Sequence, residues 1–290
     1  MQYVGSIYRP PSEAYSLIVQ VTVGCTHNGC TFCSMYKEKD FRIKPFETVL
    51  ADLYEARQYY KHVRRIFFAD GDAMCINTDD LLRLLNAVRD IFPECSRVGA
   101  YSRSSQILTK DETELRALHS AGLGIVYIGA ESGSNEVLCR VNKGETSEQM
   151  VRAVQKAESV GIKTSVTFIS GLGGSELMTE HAVKTGEIIT AMGASYVGLL
   201  TLLVDEAAPI FRDIQTKDFK QLHQSEVMDE LEVIIENTYC VSETVFRSNH
   251  ASNWLVLSGT LPQDKGAMLE QIRAAKGDNS VLRGEWMRRL

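Results

Sequence analysis

The sequence predicts an α/β fold in which six strands alternate with helices, followed by a C-terminal extension. Three observations carry this expectation. Amphipathic stretches of helical period alternate with short apolar runs, a glycine closes each helix, and the alternation stops after about residue 205. Strand–helix alternation implies parallel pairing through right-handed crossovers. Six units are too few for a closed eight-stranded barrel, which leaves a partial barrel or an open doubly wound sheet.

The stretch "TKDETELRALHSAGLGIVYIGAESG" shows the repeated unit most completely. Thr109 and Glu112 form a capping-box pattern, Leu115, Leu118 and Leu123 mark the apolar positions, Gly122 stops the helix, and Ile125–Ile128 reads as a buried strand. In the next unit Thr146 and Gln149 repeat the cap, Gly161 stops the helix, and Thr164–Ile169 is the strand. A third unit ends on Gly193, with a strand over Tyr196–Leu203. Upstream, strands are expected at Ser16–Val23, Arg65–Ala69 and Arg97–Tyr101, with helices near Phe46–Tyr60 and Thr78–Phe92. The tail holds two helical patterns, "HQSEVMDELEVIIENTY" and "GAMLEQIRAAK", on either side of a polar, irregular stretch. We therefore expect a core over 1–205, with 206–290 packed on it as an extension. The early segment "IYRPPSEA", with Arg9 and two prolines, is expected to pack beneath or beside that core.

Composition narrows the function. The chain has 290 residues, is 44% hydrophobic, and contains no apolar run long enough to span a bilayer. Its start lacks a secretory signal pattern, so a cytoplasmic protein without membrane attachment is expected. A net charge of −6 and the absence of a long basic run disfavour nucleic acid as the main partner. Seven cysteines are too sparse for a disulfide scaffold, and three of them, Cys25, Cys30 and Cys33, fall within "GCTHNGCTFCSMY". The other four, Cys75, Cys95, Cys139 and Cys240, read as small buried hydrophobes.

Three thiolates at a strand end fit either of two metal groups. Zinc needs a fourth ligand, and His27 lies only two residues from Cys25, an awkward spacing. A four-iron cluster on three thiolates leaves one iron open for a small molecule, whereas a plain electron carrier fills all four positions. The other strand ends add polar or glycine residues on the same face: Asp70, Gly71 and Asp72, then Ser102 and Arg103, then Glu131, Ser132 and Gly133, then Gly171. Catalytic groups collect at the C-terminal ends of strands in such folds.

From about Ser16 to Leu203 the chain resembles the radical S-adenosylmethionine (SAM) superfamily. Its Cys-x4-Cys-x2-Cys triad is one residue longer than that family's usual Cys-x3-Cys-x2-Cys, and Phe32 stands before the third cysteine as in the family pattern. The resemblance implies a partial (β/α)6 TIM-type barrel with a [4Fe–4S] cluster on Cys25, Cys30 and Cys33. It implies SAM contacts at Asp70, Gly71 and Asp72 for the amine, Ser102 and Arg103 for the ribose or methionine carboxylate, Glu131 for the ribose hydroxyls, and Gly171 for the adenine. It also implies reductive cleavage of SAM to methionine and a 5′-deoxyadenosyl radical that abstracts a substrate hydrogen, with an electron donor such as flavodoxin or ferredoxin.

In the tail, "FRSNHASN" groups Arg247, Asn249, His250 and Asn253. These are candidate substrate contacts, with His250 as acid or base, or they form a hydrogen-bonded turn that pins the tail. About 15 residues precede the first strand, too few for a cobalamin domain, and no second cysteine cluster follows. A single-cluster enzyme acting on a small molecule is therefore expected. Size and motif style nominate a queuosine-to-queuine lyase, a porphyrinogen-type oxidation is the competing reaction, and outside enzymes the alternative is an iron–sulfur electron-transfer or sensor protein.

Overall fold

The computed structural model describes residues 1–288. Its main sheet has eight strands in the order β1 (Leu17–Gln20), β4 (Arg65–Ala69), β5 (Arg97–Tyr101), β6 (Leu123–Glu131), β7 (Lys163–Ser170), β8 (Tyr196–Thr201), β9 (Thr244–Ser248) and β10 (Leu257–Leu261). The recorded pairings up to β9 are parallel, and β10 runs antiparallel to β9. A short separate ribbon pairs β2 (Thr22–Val23) with β3 (Arg42–Ile43). The mostly parallel order, with β1 and β10 as edges, agrees with a partial TIM-type barrel.

The chain divides into two compact units. The first comprises Met1–Asn28, Met35–Ile128 and Lys156–Thr164. It carries β1 to β5, α1 (Phe46–Tyr59), α2 (Thr78–Ile91), α3 (Ser104–Thr109), α4 (Glu112–Ser120) and most of β6. Strand β4 is an unbroken apolar run buried from Ile66 to Ala69, as a strand covered on both faces must be. Helix α2 starts at Asn77, whose side chain accepts from the Asp80 amide, and buries Leu81, Leu84, Leu85 and Val88, a stripe of helical spacing. The early segment folds into this unit through Glu13. Glu13 is fully buried, pairs with Arg97 at the start of β5, and accepts from the Tyr127 hydroxyl at 2.5 Å. Arg9 stays exposed.

The second unit comprises Gly29–Ser34, Gly129–Gln155 and the chain from Ser165 onward. It holds α5 (Asn135–Arg140), most of α6 (Ser147–Ser159), nearly all of β7, α7 (Gly174–Met192), β8, α8 (Ile210–Thr216), α9 (Gln224–Glu236), β9, β10 and α10 (Lys265–Gly277). Thr164, Val166, Phe168 and Ser170 are buried along one face of β7. Helix α9 packs on α7, and at Gly186 the approach is so close that a Cβ would stand 2.7 Å from the Ile234 carbonyl oxygen.

Several sequence expectations hold in detail. Arg65–Ala69 and Arg97–Tyr101 are strands with those bounds, and Thr146 and Gln149 exchange the two capping hydrogen bonds. Gly122, Gly161 and Gly193 all have φ in the left-handed region, which explains why a glycine follows each of these three helices.

Others are corrected. The expected strand Ser16–Val23 splits into β1 and β2. The Thr109–Glu112 cap is displaced by two residues. Thr109 closes α3 and donates to the Gln106 carbonyl, while Asp111 and Glu114 form the box that starts α4. The tail read as irregular contains β9 and β10. The inward positions of β9 are Thr244, Phe246 and Ser248, two of them polar, so the hydrophobic alternation that signals a strand is missing. Among the scattered cysteines, Cys139 is exposed, Cys75 and Cys95 are half-buried, and Cys240 is buried.

Candidate active site

In the first unit two carboxylates grip the cysteine loop on either side of Cys25. Asp70 follows β4 directly and is fully buried. Its Oδ2 accepts from Lys39 Nζ at 2.7 Å, from Gln20 Nε2 at 3.0 Å, and from the amide of Gly24, the residue before Cys25, at 3.2 Å. Asp72, also buried, accepts from the hydroxyl of Thr26, the residue after Cys25, and from the Arg103 amide at 3.2 Å. Between them Gly71 lies against the loop. A Cβ there would stand 2.7 Å from the Tyr36 ring and 3.0 Å from the Cys25 Cβ. Ser102 is held at the end of β5 by its amide, which donates to the Tyr127 carbonyl at 2.9 Å, and by its hydroxyl, which donates to the Arg103 carbonyl at 2.8 Å. The structure thus gathers Cys25, Asp70, Gly71, Asp72, Ser102 and Arg103 within this unit.

In the second unit Glu131 ends β6 in the left-handed region, with φ 71°, an uncommon conformation for a side chain of this kind. It is buried and bonded to Lys143 Nζ at 3.1 Å. Burial pulls the Lys143 ammonium down, but the charges of Glu131, Cys30 and Glu145 together hold it above the ordinary lysine value. Phe32, next to Cys33, packs against a buried apolar group that includes Val137, Val141, Leu172 and Leu202. The loop therefore places Cys25 in one unit and Cys30 and Cys33 in the other. None of the three is in a disulfide, and all are of intermediate burial. Among the described residues no three His, Cys, Asp or Glu side chains gather into a site for a single metal ion.

Gly171 closes β7 with φ 83°, and its amide donates to Glu230 Oε2 at 2.7 Å. Ser170 donates to the same oxygen. Glu230 comes from α9 and faces His181 of α7, both wholly buried, with 4.0 Å between Oε1 and Nε2. His181 Nδ1 is 2.8 Å from the Ser132 hydroxyl. Burial pushes the Glu230 carboxyl up to about 7 and the His181 imidazole down to about 4. Between about pH 4 and 7 the folded pair is a neutral acid beside a neutral imidazole.

That pair carries a pH prediction. Between about pH 4.5 and 6.5 the unfolded pair is Glu⁻ with His⁺ and the folded pair is GluH with neutral His, one proton in each, so its contribution is flat. Below that window the unfolded state binds more protons, and stability falls as pH falls. Above it the folded Glu230 keeps a proton the unfolded chain has lost, and stability falls as pH rises towards 7. Glu230→Gln removes the second loss. Relative to wild type, the variant is expected to gain about 3 kcal/mol between pH 4 and 8, measured by urea denaturation across pH. Parallel curves for the two proteins would refute it.

Beside Ser170 and Gly171 opens a cavity of about 690 Å³ within the second unit. Thr201 and Leu202 from the end of β8, Phe211 of α8, His223 before α9, and Trp254 and Arg288 from the tail contribute to its wall. Arg288 stacks over Trp254, 3.4 Å from the ring centroid, and pairs with Glu285 at 2.7 Å. The tail cluster singled out from sequence lies outside this wall. Asn253 is buried, accepts from Thr201 Oγ1 at 2.8 Å and donates to the Leu199 carbonyl at 2.8 Å. His250 Nδ1 is 3.0 Å from the Ser252 hydroxyl, and burial followed by the Arg283 charge lowers its imidazole. Arg247 and Asn249 are exposed, and Arg247 donates to the Phe246 and Gly259 carbonyls. The geometry is that of a turn pinning the tail to β8.

Sequence reasoning missed Lys39, Lys143, His181, Glu230, Trp254 and Arg288. Glu230 had a readable signal, since it shares the buried stripe of α9 with Val227, Leu231 and Ile234. Lys39 and Lys143 had none, because their partners lie 31 and 12 residues away.

Comparison with known proteins agrees with this layout. Residues 19–184 match the Radical SAM superfamily, and the chain belongs to that family. Its members use a [4Fe–4S] cluster and SAM, and these are the cofactors of this chain. An uncharacterized methyltransferase of Pyrococcus horikoshii is 30% identical over 160 residues, 53% of this chain and 32% of that protein. The anaerobic magnesium-protoporphyrin IX monomethyl ester cyclase of Rubrivivax gelatinosus is 31% identical over 169 residues, 57% of this chain and 29% of that protein. The chain thus spans about a third of the length of these curated relatives. In structure it resembles the radical SAM methyltransferase TsrM of Kitasatospora setae, with TM-score 0.56 and 19% identity over 71% of this chain and 39% of that one, a likeness of fold. Family members and the named relatives are enzymes; neither of these two curated relatives is named a lyase. No helix among the described residues is long and apolar enough to cross a membrane.

The residues present fit the cofactors in kind. Three cysteines outside any disulfide share one loop, the missing Cβ of Gly71 leaves room beside Cys25, and Asp70 keeps one buried carboxylate oxygen, Oδ1, without a hydrogen-bond partner.

Proposed function

We propose that Cys25, Cys30 and Cys33 hold the cluster, that SAM binds beside it, and that a small-molecule substrate occupies the cavity at the ends of β7 and β8. The observation that carries this reading is the cavity itself. It lies at C-terminal strand ends, shares Ser170 and Gly171 with the glycine loop, and has the size of ordinary ligand sites. When bound, the two cofactors supply a 5′-deoxyadenosyl radical for hydrogen abstraction from the substrate, after one electron from a donor such as flavodoxin or ferredoxin.

The chain's own part is holding and aiming. The Arg103 guanidinium offers two parallel donors to the methionine carboxylate. The Asp70–Gly71–Asp72 segment takes the SAM amine, with Asp70 Oδ1 open for it, while Asp70 Oδ2, paired with Lys39, keeps Gly24 in place. Ser102 and Glu131 take the ribose, and Gly171, lacking a side chain, lets the adenine approach the main chain. Thr201, Gln221, His223 and Gln224 offer hydrogen bonds within the cavity, which suits a hydroxylated or heteroaromatic ligand.

A modified nucleoside is the first substrate class to test, with cleavage of queuosine to queuine as the specific reaction. The Rubrivivax relative supports a tetrapyrrole as the second. Anaerobically reconstituted, reduced protein is expected to convert SAM to 5′-deoxyadenosine, and faster with the true substrate, as read by mass spectrometry. Protein that holds a cluster and never cleaves SAM would be a carrier or sensor instead.

A further inference from the structure

The cysteine loop is one residue longer than the family spacing, and the structure holds that longer loop in a specific way. Gly29, directly before Cys30, gives its carbonyl to Asn142 Nδ2 at 3.0 Å. Thr31, directly after Cys30, donates its amide to the Val141 carbonyl at 2.9 Å, and its own carbonyl accepts from the Ile210 amide at 2.9 Å. Cys30 is therefore clamped on both sides by the turn that closes α5. Within that turn Asn142 has φ 51°, a conformation that asparagine tolerates and most residues do not. The next residue, Lys143, is buried with its ammonium on Glu131.

We propose that the turn Val141–Lys143 is the positioning device for the Cys30 side of the cluster loop, Asn142 acting by its hydrogen bond and Lys143 by its charge. The idea rests on the triad as cluster ligands. Asn142 limits the swing of the Gly29–Cys30 peptide, so that the thiolate is presented at the right place before any iron arrives. Lys143 follows Asn142 directly, so the turn that holds the Gly29–Cys30 peptide also carries a buried ammonium, 3.1 Å from Glu131 Oε1. A buried cation close to an iron–sulfur cluster favours its reduced, more negative state and so raises its potential. The same ammonium fixes the Glu131 carboxylate at 3.1 Å.

Two variants of the full chain separate the parts. Asn142→Gly accepts the positive φ without strain and removes the side-chain donor to the Gly29 carbonyl. It is expected to take up iron but to lose it to a chelator about threefold to tenfold faster than wild type, while the metal-free protein still unfolds in one cooperative transition. Lys143→Met is expected to shift the cluster's midpoint potential to more negative values in an electron-paramagnetic-resonance titration, and Lys143→Arg to restore it. Wild-type iron release in Asn142→Gly, or an unshifted potential in Lys143→Met, overturns the proposal. Wild-type protein that takes up no iron overturns the assignment of the triad instead.

Discussion

Replacing Cys25, Cys30 or Cys33 with alanine, one at a time, is expected to yield protein without iron–sulfur absorption and with 5′-deoxyadenosine formation at the level of the enzyme-free control. The three thiols are the only closely spaced cysteines in the chain. A cluster left with two thiolates loses a covalent anchor that no neighbouring side chain replaces. Iron and sulfide analysis after anaerobic reconstitution measures the first effect, and mass spectrometry of the nucleoside products measures the second. Cys139→Ala, at an exposed position on α5, is the matched control and is expected to keep both. If any of the three loop variants retains a full complement of iron, the ligand assignment is wrong at that position.

Asp70→Ala is expected to cost about 3–5 kcal/mol of folding stability, before any effect on cofactors. Lys39 Nζ and Asp70 Oδ2 lie 2.7 Å apart, and the lysine is only 8% exposed. Removing the carboxylate leaves a largely buried ammonium without its counter-charge, held by the Ser6 carbonyl, and it also takes the acceptor from Gln20 and from the Gly24 amide. Chemical denaturation reads the loss. A Lys39→Met, Asp70→Ala double variant should recover part of it, because the stranded charge is gone. A single variant as stable as wild type would mean that the pair is solvated and unimportant.

Much of the architecture was legible in sequence because it rests on local rules. Capping residues, a helical stripe such as Leu81, Leu84, Leu85 and Val88, and a closing glycine report on a few neighbouring residues, and they placed α1, α2, α6, β4 and β5 closely. The rule failed where local signals compete. Asp111 rather than Thr109 caps the helix because Thr109 is the last residue of α3 and α4 begins only at Glu112. It failed again at β9, whose buried positions are largely polar. The candidate site divides in the same way. Cysteine spacing and the residues at strand ends could be read directly. The second carboxylate partner, the lysines and the cavity wall could not.

The sequence by itself determined the alternation of six core strands with helices, the three-cysteine loop and the polar residues that follow the strands. Each depends on spacing along the chain. Only the tertiary structure decided what holds that loop. It showed Asp70 and Asp72 on either side of Cys25, Asn142 and Val141 on either side of Cys30, and Glu230 beneath Gly171. These contacts join residues from 46 to 113 positions apart. Their energy comes from burying polar groups with their partners satisfied. That condition is a property of three-dimensional enclosure, and no local window of sequence contains it.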